Sequence, residues 1–114
     1  MPTALERYRH RTPVVLATEP EPRSERLRWW EAAASSIAET GAALVVRTPE
    51  PVTLHGVVNV AGLGLGSPGT KSPGVWILDA YLEPRARLDA SSLDLALLHQ
   101  VITWVEGIQH ECPE

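Results

Sequence analysis

Hydrophobic positions between Ser24 and Thr40 recur every three to four residues. In a helical projection they share one face, while charged and small polar side chains occupy the other face. Gly41 follows directly, and a glycine in this position commonly ends a helix because it adopts the left-handed conformation without strain. The pattern therefore predicts a helix over residues 24–40, with an apolar face made of Leu27, Trp30, Ala33, Ala34, Ile37 and Ala38.

Four shorter segments are rich in the β-branched and aromatic residues that favour strands. Three of them, residues 43–48, 52–60 and 75–82, are separated by proline-rich or glycine-rich segments that predict turns. The fourth, residues 12–17, contains Pro13, which cannot donate a hydrogen bond to a neighbouring strand. We therefore expect any strand over residues 12–17 to lie at the edge of the sheet.

A second helical pattern occupies the last part of the chain. Ser91, with Asp94 three residues later, forms a capping box, an arrangement that begins many helices. Apolar residues from Leu93 to Ile108 cover about 200° of the helix circumference at 3.6 residues per turn. So wide an apolar arc predicts that this helix is buried on more than one side or contributes to an interface between copies of the chain.

The order of these elements, (β)-α-β-β-β-α, is typical of a small α+β domain. We expect a single domain over residues 1–114, in which an antiparallel sheet of three to four strands carries both helices on one face. Residues 1–11 are rich in arginine and are expected to form a flexible basic arm. Residues 62–74 are expected to form a long glycine-rich loop.

Side-chain alternation along the strands divides the predicted sheet into two faces. If residues 49–51 and the middle of the glycine-rich loop are hairpin turns, one face is apolar and would be covered by the helices. That face comprises Leu44, Val46, Leu54, Val58, Val60, Trp76, Leu78 and Leu82. The other face is mixed and comprises Val45, Arg47, Thr53, His55, Val57, Asn59, Ile77, Asp79 and Tyr81. In this register His55 lies opposite Asp79, and a carboxylate can orient an imidazole as a general base or simply form a cross-strand ion pair.

Composition and charge narrow the classes of function. Ten Lys and Arg residues against 14 Asp and Glu residues give a net charge of −4, whereas a nucleic-acid binder needs a cationic surplus. No apolar run approaches the roughly 20 residues that span a bilayer. Cys112 is the only cysteine, so no disulfide can form within the chain. We therefore expect a cytoplasmic protein without a membrane or nucleic-acid partner.

The glycine-rich loop contains Lys71, the only lysine of the chain. A phosphate-binding P-loop requires lysine and then serine or threonine directly after its second glycine, followed by a helix. Here Thr70 intervenes, and a predicted strand follows the loop. This departure from the P-loop motif argues against nucleotide binding. Lys71 is left as a candidate contact to a partner.

The last helix carries His99, Glu106 and His110 on one polar stripe. The rise of a helix separates His99 from His110 by about 16 Å, too far for both to bind one metal ion. No metal site and no cofactor is therefore predicted.

No complete catalytic set is recognisable in the sequence, so an enzyme is the less favoured class. The apolar residues of the mixed face would need cover, because monomers seldom expose such patches. We therefore hypothesise a non-enzymatic protein-interaction or assembly module that associates with itself or with a protein partner. The alternative is a small enzyme or ligand-binding protein with a pocket centred on His55 and Asp79. The candidate binding residues are Arg47, His55, Asn59, Asp79, Tyr81, Lys71 and Trp29.

Overall fold

The computed structural model describes residues 12–21, 23–61 and 73–111. The predicted basic arm and most of the glycine-rich loop, including Lys71, lie outside these residues. The elements are β1 Val14–Thr18, α1 Ser24–Glu39, β2 Ala43–Thr48, β3 Val58–Ala61, β4 Gly74–Leu78, β5 Pro84–Asp89 and α2 Leu95–Glu111.

The described strands form one mixed sheet in the order β3-β2-β1-β4-β5. β1 pairs with β2 in parallel, as β2 does with β3, whereas β4 is antiparallel to both β1 and β5. The α+β class with two helices is confirmed. The expectation of an antiparallel sheet with three to four strands is wrong, because the sheet has five strands and two of its four pairings are parallel.

β1 is the central strand, not an edge strand. All five of its residues are buried, and it pairs with β2 on one side and with β4 on the other. Pro13 precedes the strand, where its missing N–H costs nothing, and its carbonyl accepts a hydrogen bond from Ala43 N–H at 3.0 Å. A short, continuously apolar run such as Val14–Ala17 is typical of a strand that is covered on both faces.

Both helices pack on the same face of the sheet. α1 buries Trp30, Ala33, Ala34 and Ile37, while α2 buries Leu97, Val101, Val105 and Ile108. The predicted helix over residues 24–40 is confirmed to within one residue, and Gly41 has a φ of 92° after its end. α2 begins later than expected, because Asp94 Oδ1 accepts the Leu97 N–H at 2.9 Å and Ser91 instead bonds to Asp89.

α2 is buried along one side only. Leu95 is 80% exposed and Trp104 is 41% exposed, so the wide apolar arc does not mean burial on several sides in the described structure. The connection from β2 to β3 runs along the helix-covered face, where Leu54 and Val57 pack against the core.

The predicted division of the sheet into faces is wrong beyond β2. The helix-covered face carries Val15, Ala17, Leu44, Val46, Val75 and Ile77. On the opposite side no described helix packs, and this side is called here the helix-free face. It carries Val14, Leu16, Val45 and Leu78, with Val58, Val60, Trp76 and Leu82 packed against them. The parallel pairing sets Val58 beside Val45. A hairpin at residues 49–51 would have given Val58 the opposite parity, and a one-residue difference moves every side chain to the other face.

Candidate functional site

A buried charge network lies at the carboxyl end of β1. Glu19 follows the strand and its side chain is fully buried. Its Oε1 accepts from Arg26 Nε at 2.6 Å, and its Oε2 accepts from Arg26 Nη2 at 3.0 Å and from Trp30 Nε1 at 2.8 Å. Arg26 also donates to the carbonyls of Ala90 and Ser91. This Glu19–Arg26–Trp30 network therefore ties β1, α1 and the connection from β5 to α2 into one rigid corner.

An open pocket of about 270 Å³ adjoins this corner at the start of α1. We call it the α1-entry pocket, and its lining residues are Pro20, Glu21, Arg23, Glu25, Arg26 and Pro73. Pro73 reaches it because β4, which follows Pro73, is antiparallel to β1. In open α/β sheets, ligands commonly bind outside the carboxyl ends of parallel strands, which is where this pocket lies.

The start of α1 faces the pocket without a side-chain cap. Arg23 occupies the N-cap position with extended backbone, and its side chain makes no capping hydrogen bond. The hydrogen bond from Leu27 N–H to the Arg23 carbonyl, at 3.0 Å, is the first of the helix ladder among the described residues. Free N–H groups and the positive end of a helix dipole favour an oxygen acceptor at such a position.

No thiol lines the α1-entry pocket. A cysteine at a helix N-terminus would be activated, because the helix field lowers a thiol pKa. The first helical residue here is Ser24, and the only cysteine of the sequence, Cys112, lies outside the described residues. The described end of α2 lies beside the end of α1, where Gln109 donates to the Thr40 carbonyl. α1 separates that corner from the pocket by roughly 24 Å of helix rise.

The structure does not bring His55 and Asp79 together. His55 is exposed in the connection before β3, and its backbone N–H donates to Glu31 Oε2 at 2.8 Å. Asp79 follows β4, three strands away in the sheet, which corresponds to roughly 14 Å. The proposed pocket centred on these two residues is therefore absent from the described structure. His55 instead borders an open groove beside the first half of α1.

Asp79 has a structural role in the turn between β4 and β5. It is buried, and its Oδ1 accepts the backbone N–H groups of Tyr81 at 2.9 Å and Glu83 at 3.0 Å. Arg85 Nη1 lies 3.6 Å from Oδ2. Tyr81 is 47% exposed in this turn. These contacts explain the conformation of the turn without a ligand.

Asn59 also stabilises the fold. Its amide donates to the Val46 carbonyl at 3.1 Å and to Thr48 Oγ1 at 3.0 Å, and its Oδ1 accepts from Val52 N–H at 3.0 Å. Arg47 lies on the other side of β2. Burial lowers the pKa of its guanidinium by desolvation.

Trp29 is half-buried and packs against the core rather than projecting into solvent. Its ring meets that of Trp30 edge to face, with centroids 4.9 Å apart and an interplanar angle of 88°. A contact from Lys71 to a partner stays a prediction. In the described ranges, no group of three His, Cys, Asp or Glu side chains could hold a metal ion, and no described helix is long and apolar enough to cross a membrane.

Sequence reasoning missed the Glu19–Arg26–Trp30 network and the α1-entry pocket. One signal was available, since the charged, proline-containing segment from Glu19 to Arg26 links a strand to a helix. A ligand site at the carboxyl end of a strand requires that strand to be central, whereas the sequence of residues 12–17 predicts an edge strand.

Comparison with solved structures identifies the fold. The chain superposes on Plasmodium yoelii thioredoxin peroxidase I with a TM-score of 0.69 and 11% identity, over 96% of this chain and 83% of the other. It superposes on reduced Plasmodium vivax 2-Cys peroxiredoxin with a TM-score of 0.71 and 10% identity, over 94% and 70%. The Xanthomonas campestris bacterioferritin comigratory protein gives 0.70 and 9%, over 92% and 83%. The chain therefore has a thioredoxin-like fold. No protein-family model and no curated protein sequence matches it.

These neighbours contradict the hypothesis of a non-enzymatic protein-interaction or assembly module. The similar structures are peroxiredoxins, one of them named as a thioredoxin peroxidase and another described by its alkyl peroxide reduction activity. The alternative pocket at His55 and Asp79 is excluded by geometry. Identities near 10% establish the fold and not the reaction, because one fold supports many functions through different site residues.

Proposed function

We propose that the α1-entry pocket is the working site of this chain and binds a small polar ligand through an oxygen atom of that ligand. The observation that carries this proposal is the uncapped start of α1, which opens into a pocket held rigid by the Glu19–Arg26–Trp30 network. A carboxylate oxygen, or another strong acceptor, would accept hydrogen bonds from the free N–H groups at the start of α1.

The charges of the lining narrow the ligand. Arg23 and Arg26 lie with Glu21 and Glu25 in the lining, and because Arg26 already pairs with the buried Glu19, Arg23 is the cation that faces the two lining carboxylates. A ligand that carries hydrogen-bond donors as well as an oxygen acceptor fits both kinds of side chain. Contacts to both the arginines and the glutamates would orient a small molecule in this open pocket.

A proline substitution tests this binding mode, because proline is tolerated at the first helical position. The preceding residue, Arg23, has φ −84° and ψ 150°, which suits a residue before proline. Ser24→Pro removes one N–H donor from the pocket, and Ser24→Ala is the matched control that keeps it. In an NMR titration with acetate as the probe, we expect shifts of the Glu25 and Arg26 amides. The Kd for acetate should rise about tenfold in Ser24→Pro and stay unchanged in Ser24→Ala.

Two results would contradict the proposal. One is acetate binding that leaves the amides at the start of α1 unshifted. The other is an equal Kd for the proline and alanine variants, which would mean that the helix N–H groups do not hold the ligand.

Peroxide reduction is the second candidate, and the likeness to peroxiredoxin structures favours it. Cys112 would be the reacting thiol, since it is the only one in the sequence. Its thiolate would attack one peroxide oxygen, the O–O bond would break, and a sulfenic acid and an alcohol or water would form. An added dithiol would then return the sulfur to the thiol.

The peroxidase assay separates the two candidates. Consumption of tert-butyl hydroperoxide in the presence of dithiothreitol is measured for the unaltered chain, for Cys112→Ser and without protein. A rate that disappears in Cys112→Ser supports peroxide reduction. Equal rates in all three samples contradict it and leave the ligand-binding proposal in place.

The neighbours also bear on self-association. Plasmodium yoelii Prx1a modified at its N-terminus is described as an artifactual octamer. Association of copies of this chain is consistent with the exposed Trp104 on α2. Light scattering after size-exclusion chromatography tests it: a Trp104→Glu variant should dissociate an oligomer that uses this surface, whereas a monomeric unaltered chain would contradict it.

A further inference from the structure

Two arginines approach one cross-strand pair on the helix-free face. Thr18 of β1 pairs with Gly74 of β4, and Arg47 is the neighbour of Thr18 on β2. Arg47 Nη2 lies 3.5 Å from Thr18 Oγ1. On the other side, Arg87 of β5 extends over Gly74. The pair Thr18–Gly74 therefore forms the floor between two guanidinium groups.

Gly74 is the residue that makes room for Arg87. A Cβ atom at this position would lie 2.8 Å from Arg87 Nη2, closer than real Cβ contacts, and a tight 3.1 Å from Cζ. The guanidinium thus lies on the bare backbone of β4, with Cζ 5.8 Å from the centroid of the Trp76 ring. The long cationic side chain thus lies along the sheet surface while remaining exposed to water.

Arg47 and Arg87 donate few hydrogen bonds to the described residues. Arg47 Nε is buried and has no hydrogen-bond partner, and its only hydrogen bond within the described part of the chain is the long one to Thr18. Desolvation lowers the pKa of Arg47, which reflects the cost of keeping its charge there. No hydrogen bond or ion pair joins Arg87 to another of the residues that the structure describes. Donors without a hydrogen-bond partner, on the half-buried Arg47 and the exposed Arg87, favour an incoming acceptor.

The acidic groups nearby compensate the two cations only in part. Asp89 lies opposite Gly74 on the same face, but its Oδ2 accepts the hydroxyl of Ser91. Glu19, next to Thr18 in the chain, belongs to the network with Arg26. With Asp89 ionised, the described residues at this place carry one positive charge in excess.

The spacing allows one ligand to reach both arginines. Arg47 Nη2 lies 3.5 Å from Thr18 Oγ1, and the Cβ position of Gly74 lies 2.8 Å from Arg87 Nη2. Since the Cβ positions of Thr18 and Gly74 are about 5 Å apart, the two Nη2 atoms are no more than roughly 13 Å from each other. Arg87 is exposed and long enough to close the remaining distance. An oxyanion that bridges two guanidinium groups accepts a hydrogen bond of about 2.8 Å on each side. The two donor nitrogens then lie about 8 Å apart.

We propose that Arg47 and Arg87 form a binding site for the oxyanion group of a small organic acid, with Thr18 and Gly74 as its floor. The surface beside this site is apolar: Trp76, Val58 and Val60 are half-buried on the same face. A carboxylate attached to an apolar body would therefore place its charge between the arginines and its body along these side chains. The site is separate from the α1-entry pocket, with which it shares no lining residue.

Isothermal titration with octanoate, acetate and inorganic phosphate as probes tests the proposal. We expect octanoate to bind more tightly than acetate, and Arg47→Met and Arg87→Met each to weaken octanoate binding roughly tenfold or more. Arg28→Met, which removes an exposed arginine of α1, is the matched control and should leave the Kd unchanged.

A second variant keeps the test decisive if an arginine variant fails to fold. Gly74→Ala retains both arginines and displaces only the Arg87 guanidinium, so it should weaken octanoate binding while the circular dichroism melt stays cooperative. Octanoate binding that is insensitive to Arg47, Arg87 and Gly74 would overturn the proposal. Phosphate binding that exceeds octanoate binding would overturn the assignment to an organic acid.

Discussion

Removing one partner of the Glu19–Arg26 pair should destabilise the fold strongly. Glu19 is completely buried, whereas the Arg26 side chain keeps 16% of its surface exposed. Loss of one member of a buried ion pair typically costs 3–5 kcal/mol, since the other charge is left without a partner. We expect about 3 kcal/mol for Glu19→Leu, because Arg26 keeps its bonds to the carbonyls of Ala90 and Ser91. Arg26→Met should cost about 4 kcal/mol, because a fully buried carboxylate remains.

The double variant Glu19→Leu/Arg26→Met measures the pair itself. Replacing both charges by apolar side chains removes the unpaired group, so the double variant should be at least about 2 kcal/mol more stable than the sum of the single effects predicts. Urea unfolding with a common m-value gives these free energies, and each kcal/mol should also shift the Tm by roughly 4–8 °C. Additive effects, with a coupling below about 0.5 kcal/mol, would refute the view that this pair is a buried, mutually dependent unit.

Two further pairs of substitutions test the turns that shape the sheet and its helices. Asp79→Ala should lower the free energy of unfolding by about 2 kcal/mol, because two backbone N–H groups of the following turn lose their acceptor, whereas Asp79→Asn keeps Oδ1 and should cost less than about 1 kcal/mol. Equal effects in thermal melts would show that the carboxylate charge, not the acceptor, holds the turn. Gly41→Ala should cost about 1 kcal/mol, since φ is 92° and the new Cβ would lie 3.0 Å from Gln109 Nε2. Gly107→Ala is its control, because that helical glycine has open space around it and alanine should be neutral or stabilising by up to about 1 kcal/mol; a loss in both variants would contradict the role of the backbone angle.

The helices were predictable because their signals are local. The spacing of Trp30, Ala33 and Ile37 and the glycine that follows depend only on 3.6 residues per turn and on left-handed backbone geometry. The parity within β2 was equally local, so Leu44 and Val46 were placed correctly under the helices. β5 was missed, because Pro84–Asp89 is charged and largely exposed, as an edge strand can be.

The candidate sites were less predictable than the elements that carry them. Arg47 was singled out from the sequence, and the structure gives it a desolvated environment, but its neighbour Arg87 could not be found without knowing that β5 exists. His55 and Asp79 were paired through a hairpin register that the chain does not adopt. The register of two paired strands depends on contacts between both segments, so the sequence of either segment alone does not determine it.

By itself, the sequence determined two amphipathic helices, a set of short apolar strands and the α+β class, because each follows from periodicity along a few neighbouring residues. Only the tertiary structure decided that β1 is central, that β2 and β3 run parallel and that Glu19, Arg26 and Trp30 meet at the start of α1. Strand order and direction depend on contacts between residues far apart in the chain, and many pairings satisfy the same local pattern. The position of both proposed binding sites follows from that order.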